Sequence, residues 1–142
     1  MDKHVVGVLA LQGAFAKHVK MLEDLDVKAV EVRVPSDLDN CDALIIPGGE
    51  STSIMKQIRF IKMEEPLAEF AREKPIFGTC AGLILMSQRI VDGTFEPFKM
   101  INASVERNAF GRQADSFRTQ IQVAFKSGQA KEVPALFIRA PR

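Results

Sequence analysis

The sequence predicts an α/β domain built on a doubly wound, mostly parallel sheet. Two observations carry this. Between Val5 and Gly78, short apolar runs rich in β-branched residues alternate with stretches of helical spacing. The runs are closed by glycine or proline, which stop strands rather than prolong them. Strands buried on both faces read as continuous apolar runs, and right-handed crossovers then cover the sheet on both sides.

Val5 to Leu11 is the first run, closed by Gly13, and reads as a buried strand. From Ala14 to Leu25 the apolar positions Phe15, Val19, Leu22 and Leu25 recur at helical spacing. Lys28 to Val34 is a second strand stopped by Pro35, and Ala43 to Ile46 a third stopped by Pro47-Gly48-Gly49. Ser51 opens a helical region that reaches Arg72, with a break expected before Pro66. Pro75 to Gly78 is a fourth strand, and a helix is expected from Ala81 to Ile90. Beyond Ile90 the pattern changes. Val91 to Phe98 is turn-rich, and Met100–Val105, Phe117–Phe125 and Ala135–Ile138 read as strands without long helices between them. Phe117, Thr119, Ile121 and Val123 alternate with Arg118, Gln120 and Gln122, which predicts a half-exposed antiparallel addition to the sheet.

The 142 residues suit a single domain, 1–142, and 46% hydrophobic against 26% charged residues is enough to bury a real core. A net charge of +1 with dispersed basic residues argues against nucleic-acid binding. Arg107, Arg112 and Arg118 form a local basic stretch, but Glu106 and Asp115 dilute it. Two cysteines, Cys41 and Cys80, make no disulfide framework and suggest a reduced, cytoplasmic protein. His4 and His18 stand alone, so no metal-ligand spacing appears and no cofactor is implied. No run approaches the roughly 18 apolar residues of a membrane span, and the N-terminal run is too short for a signal peptide.

In doubly wound sheets, ligands bind at the carboxyl ends of the strands. Three loops follow strands here, Gln12-Gly13, Gly48-Gly49-Glu50-Ser51 and Thr79-Cys80-Ala81, so all three are expected on one rim. Gly78-Thr79-Cys80-Ala81-Gly82 has the form of a nucleophile elbow with sulfur in place of oxygen. The glycines are needed because side chains beside a strained strand-to-helix turn would clash. The positive end of the helix dipole favours a thiolate at Cys80, and the Ala81 N–H faces any oxyanion formed there. A buried structural thiol is the alternative for Cys80, and it is the preferred reading for Cys41. In Pro47-Gly48-Gly49-Glu50-Ser51-Thr52-Ser53, paired glycines let backbone N–H groups face a ligand or oxyanion. Glu50 could accept from a substrate ammonium group, and Ser51 is the expected N-cap of the next helix. The run is no phosphate loop, because the Gly-Lys-Ser/Thr ending is absent. Arg107, in the polar stretch 105–113, could pair with a carboxylate bidentately, and Arg139 sits at a strand end. For both arginines a surface salt bridge is the competing reading.

"LALQGAF", "IIPGGEST" and "IFGTCAGLILMS" together resemble the class I glutamine amidotransferases. "VERNAFGRQADSF" and "FIRAP" more narrowly resemble the glutaminase subunits of pyridoxal 5′-phosphate synthases. The likeness runs in order through nearly the whole chain. It implies a flavodoxin-like fold and hydrolysis of L-glutamine to glutamate and ammonia. The ammonia would pass to a partner synthase (lyase) subunit that makes pyridoxal 5′-phosphate. By matching positions, the resemblance makes Cys80 the nucleophile. It assigns Gly49, Glu50, Ser51, Arg107, Ile138 and Arg139 to glutamine binding. Gly48, Ala81, Gln12 and Gly13 fall to the oxyanion site and the face toward the synthase. The family completes its triad with a His-Pro-Glu motif beyond "IRAP", and the 142 residues contain none. The expectation is therefore a C-terminally incomplete amidotransferase domain with weak or no turnover of its own. Two alternatives stand beside it: a non-catalytic, partner-binding relative of the glutaminases, and another cysteine hydrolase on a similar fold.

Overall fold

The structure, a computed structural model, describes residues 4–109 and 116–137. They fall into two compact units, one ending at Val105 and one beginning at Glu106.

The first unit is an α/β layer structure. Its strands are β1 (Val5–Leu9), β2 (Lys28–Val32), β3 (Ala43–Ile46) and β4 (Ile76–Gly78). They form one sheet in the order β2-β1-β3-β4, with every pairing parallel. The helices are α1 (Phe15–Asp24), α2 (Ser51–Phe60), α3 (Glu64–Glu73) and α4 (Ala81–Met86). The chain winds outward from β1 to β2, then returns to β3 on the other side. The loops after β1 and β3 therefore open at a switch point, where such sheets bind ligands.

Local chemistry sets the boundaries. α1 closes where Asp26 takes φ 57° and the Val27 N–H donates to the Leu22 carbonyl at 2.9 Å. After β2, a 3-10 turn at Pro35–Asn40 is held by Asp37, whose Oδ2 accepts from the N–H groups of Arg33 and Val34 at 2.8 and 3.0 Å. The core packs Leu9, Leu44 and Ile46 from the strands against Ile54, Met55 and Ile58 of α2, Leu67 of α3 and Leu85 of α4.

The break expected before Pro66 is present: the region from Ser51 is two helices, parted at 61–63, where Lys62 adopts φ 56° and Met63 is fully buried. Pro66 then lies in the first turn of α3, where an N–H would have no helical partner anyway. Two expectations are corrected in this unit. The helix expected to reach Ile90 ends at Met86. Ser87 turns extended, and its buried hydroxyl donates to the Ile84 carbonyl at 2.7 Å. Arg89–Ile90 instead forms β5, paired in parallel with β6, Ser104–Val105. Met100–Ala103 is consequently not a strand. The Phe98 N–H donates to the Leu85 carbonyl at 2.8 Å, and those of Met100 and Ile101 to the Met86 carbonyl at 2.9 and 3.0 Å. That segment satisfies the last carbonyls of α4, which a helix cannot satisfy itself.

The second unit contains a hairpin of β7 (Phe117–Ala124) and β8 (Ala130–Phe137). The strands are antiparallel, from Phe117 opposite Phe137 to Ala124 opposite Ala130. The two terminal rings stack at 4.7 Å between centroids. Gly128, at φ 79°, makes the turn. The antiparallel expectation holds, but β7 and β8 form a two-stranded sheet of their own rather than an addition to the main sheet. β8 also begins five residues before the expected Ala135, at Ala130. Pro134 lies within β8, and proline is tolerated on a sheet edge, where no ladder N–H is needed. Ile138, the expected strand end, lies outside the described residues.

Candidate active site

β4 delivers Cys80 to the carboxyl rim of the sheet. Its backbone has φ 52° and ψ −112°, its side chain is exposed, and its thiol is free. Such a conformation persists only where surrounding bonds enforce it. The Thr79 N–H donates to the Ile46 carbonyl at 3.1 Å, and the Gly82 N–H donates to the Thr79 carbonyl at 2.9 Å. The Ile84 N–H reaches the Cys80 carbonyl at 3.2 Å and starts α4. The two flanking glycines are steric necessities. A Cβ on Gly82 would fall on the Ile46 carbonyl oxygen, and one on Gly78 would lie 2.6 Å from Met86 Sδ and 2.7 Å from the Gly82 carbonyl carbon.

The loop after β3 meets this turn. A Cβ on Gly48 would stand 3.2 Å from Cys80 Cβ and 3.8 Å from its Sγ, so Gly48 lies directly against the nucleophile candidate. Gly49 takes φ 153°, and a Cβ there would collide with Gln12 Oε1. That oxygen accepts the Glu50 N–H at 3.0 Å and ties the loop after β1 to the loop after β3. Gly13 has open space around its Cα. The three loops expected on one rim are thus brought together there.

Ser51 is not the N-cap of α2. That role belongs to Glu50, whose Oε1 and Oε2 accept the N–H groups of Thr52 and Ser53 at 3.1 and 2.7 Å. Ser51 is the first helical residue and is buried. Burial pushes the Glu50 carboxyl up, but the hydrogen bonds from Ser53 and Thr52 outweigh it and hold the carboxyl below its ordinary value. A depressed carboxyl stabilises the fold above its unfolded value and loses that effect as pH falls through its folded value. Glu50→Ala is therefore expected to lower stability by about 1 kcal/mol at neutral pH. The gap from wild type should narrow below a pH of about 4, as urea midpoints at two pH values would show.

Cys41 precedes β3, at the other end of the sheet, and is 1% exposed. Its thiol donates to the Asp37 carbonyl at 3.2 Å. Burial pushes the thiol up, against the pull of Lys74. It is the structural cysteine the sequence suggests. His4 is exposed at that same end, 3.7 Å from Asp42. Arg107 is half-buried and belongs to the second unit, while Ile138 and Arg139 lie outside the described residues. Among the described residues, no group of three His, Cys, Asp or Glu side chains could hold a metal ion, and no helix is long and apolar enough to cross a membrane.

The family model for the SNO glutamine amidotransferase family matches residues 8–142. The chain belongs to the SNO glutamine amidotransferase family. Within it, the chain is 44% identical to the pyridoxal 5′-phosphate synthase subunit PdxT of Actinobacillus pleuropneumoniae serotype 5b, over 98% of this chain and 70% of that one. It is 45% identical to the PdxT of Thermosipho africanus, over 96% of this chain and 72% of the relative. A crystal structure of a glutamine amidotransferase superposes with a TM-score of 0.82 at 42% identity, covering 96% of this chain and 71% of that one. The amidotransferase fold and the family resemblance read from the sequence are both borne out.

One rim residue escaped the sequence reading. His18 Nε2 lies 3.1 Å from Thr79 Oγ1, a contact spanning 61 residues. The available signal was its place on the apolar stripe of α1, three residues after Phe15 and four before Leu22.

Proposed function

We propose that this chain is the glutaminase subunit of a pyridoxal 5′-phosphate synthase, with Cys80 as its nucleophile. The observation that carries the reading is the strained, exposed Cys80 seated against Gly48, in a member of the amidotransferase family. The Cys80 thiolate attacks the side-chain amide carbon of L-glutamine. The oxyanion that forms is stabilised by the N–H of Ala81 and by the Gly48-Gly49 backbone. The nitrogen takes a proton from water, the C–N bond breaks, and ammonia leaves for the synthase subunit. Water adds to the thioester, the sulfur departs, and glutamate is released.

Gly49, Glu50 and Ser51 hold the glutamine, and the family resemblance also assigns Arg107, Ile138 and Arg139 to it. The hydrogen bonds from Thr52 and Ser53 fix the Glu50 carboxylate on the rim, where its negative charge suits a substrate ammonium group. Gln12 and Gly13 stand on the face toward the synthase. The cytoplasm, which keeps thiols reduced, suits a free Cys80.

Glutamate release by the chain mixed with a synthase subunit is expected to vanish in Cys80→Ala. Equal release by both chains contradicts the assignment.

A further inference from the structure

Thr79, the residue before the nucleophile, has three polar groups, and each is tied to a different element. Its N–H is bonded to β3 through Ile46, and its carbonyl to α4 through Gly82. Its hydroxyl is bonded to α1 through His18, at 3.1 Å in a part-buried setting. On the inward stripe of α1, packing alone would favour an apolar residue where His18 stands. α1 packs mainly against β1 and β2, so this bond carries it across to the turn after β4. A strained residue keeps its conformation only when its neighbours are over-determined, and Cys80 sits at φ 52°.

We propose that His18 is a positioning residue for Cys80. By holding the Thr79 hydroxyl, it prevents the turn from rotating and keeps the Cys80 thiol on the rim. The proposal rests on the reading of Cys80 as the nucleophile. It also gives α1 a second link to the site. Gln12, just before α1, holds the Glu50 N–H, and His18, within it, holds the elbow.

The test follows alkylation of Cys80 by iodoacetamide on the 142-residue chain, by peptide mass spectrometry, with buried Cys41 as the internal reference. Thermal midpoints are measured alongside. Without its third anchor the turn relaxes, and the thiol leaves the rim for the interior that free cysteines favour. His18→Phe and Thr79→Val are each expected to slow Cys80 alkylation about fivefold, the worth of one hydrogen bond. His18→Gln, whose amide can donate or accept, should restore most of the rate. The double variant His18→Phe/Thr79→Val should be no slower than the slower single, because both remove one contact.

A folded His18→Phe that alkylates at the wild-type rate overturns the proposal, even if its thermal midpoint falls, since His18 would then be a packing residue only. So does slowing that multiplies in the double variant, or a His18→Gln as slow as His18→Phe. If His18→Phe does not fold, Thr79→Val decides, because it keeps both His18 and the shape of residue 79. A wild-type rate in that variant overturns the proposal. None of these readouts involves glutamine, so a failure here is distinct from a failure of the glutaminase reading, which Cys80→Ala tests.

Discussion

Gly82→Ala is expected to cost about 3 kcal/mol or more, and to leave the first unit largely unfolded if its reserve is smaller. The added methyl would fall on the Ile46 carbonyl oxygen and lie 2.8 Å from its carbon and 3.1 Å from Ile46 Cβ. These are atoms of β3, an interior strand paired on both sides, and they cannot step aside as a flexible side chain could. Moving α4 away instead would break the Gly82–Thr79 bond and the elbow with it. Gly93→Ala serves as the control. Gly93 has φ 64° and no atom within 4 Å of a built Cβ, so only backbone strain of about 1 kcal/mol is expected. Urea midpoints followed by circular dichroism would show the difference, and equal midpoints for the two variants would contradict the steric account.

Cys80→Gly is expected to act in opposite directions on stability and on chemistry. At φ 52° and ψ −112° a cysteine carries backbone strain that glycine does not. Relief of about 1–3 kcal/mol, less the about 0.5–1 kcal/mol by which glycine favours the unfolded chain, leaves a gain near 1 kcal/mol. The thiol is exposed, so little burial is lost. Glutamate release should fall to the Cys80→Ala level. A site that is held in strain for its reaction shows this trade of stability against activity. A lowered urea midpoint in Cys80→Gly would mean that the elbow is not strained.

The residues legible in the sequence are those whose constraints are local. The glycines around Cys80 and the pair at Gly48-Gly49 reflect steric limits that act within a few positions. The rule that ligands gather at the carboxyl ends of parallel strands then placed their loops on one rim. β3 was legible to the residue, because an apolar run between Asp42 and Pro47 has clear stops on both sides. What was not legible depends on distant partners. Ser87 beside Met86 caps only the Ile84 carbonyl; the later carbonyls of α4, on Leu85 and Met86, are taken by the distant Phe98–Ile101 segment, which the sequence around the helix does not announce. Ser51 is the better N-cap by propensity, but Gln12, 38 residues away from Glu50, fixes the Glu50 N–H outside the helix and sets the entry one residue earlier. His18 carries no signature of its own beyond a polar side chain on an apolar stripe, because its partner lies 61 residues away.

The central claim is that Cys80 attacks the side-chain amide of glutamine. A diazoketone analogue of L-glutamine, with an electrophilic carbon in place of the amide, tests it without requiring turnover. The account predicts a single covalent adduct on Cys80 by mass spectrometry, formed more slowly in excess L-glutamine, with Cys41 unmodified. An adduct on Cys41, or labelling of Cys80 that excess L-glutamine leaves unchanged, would contradict it.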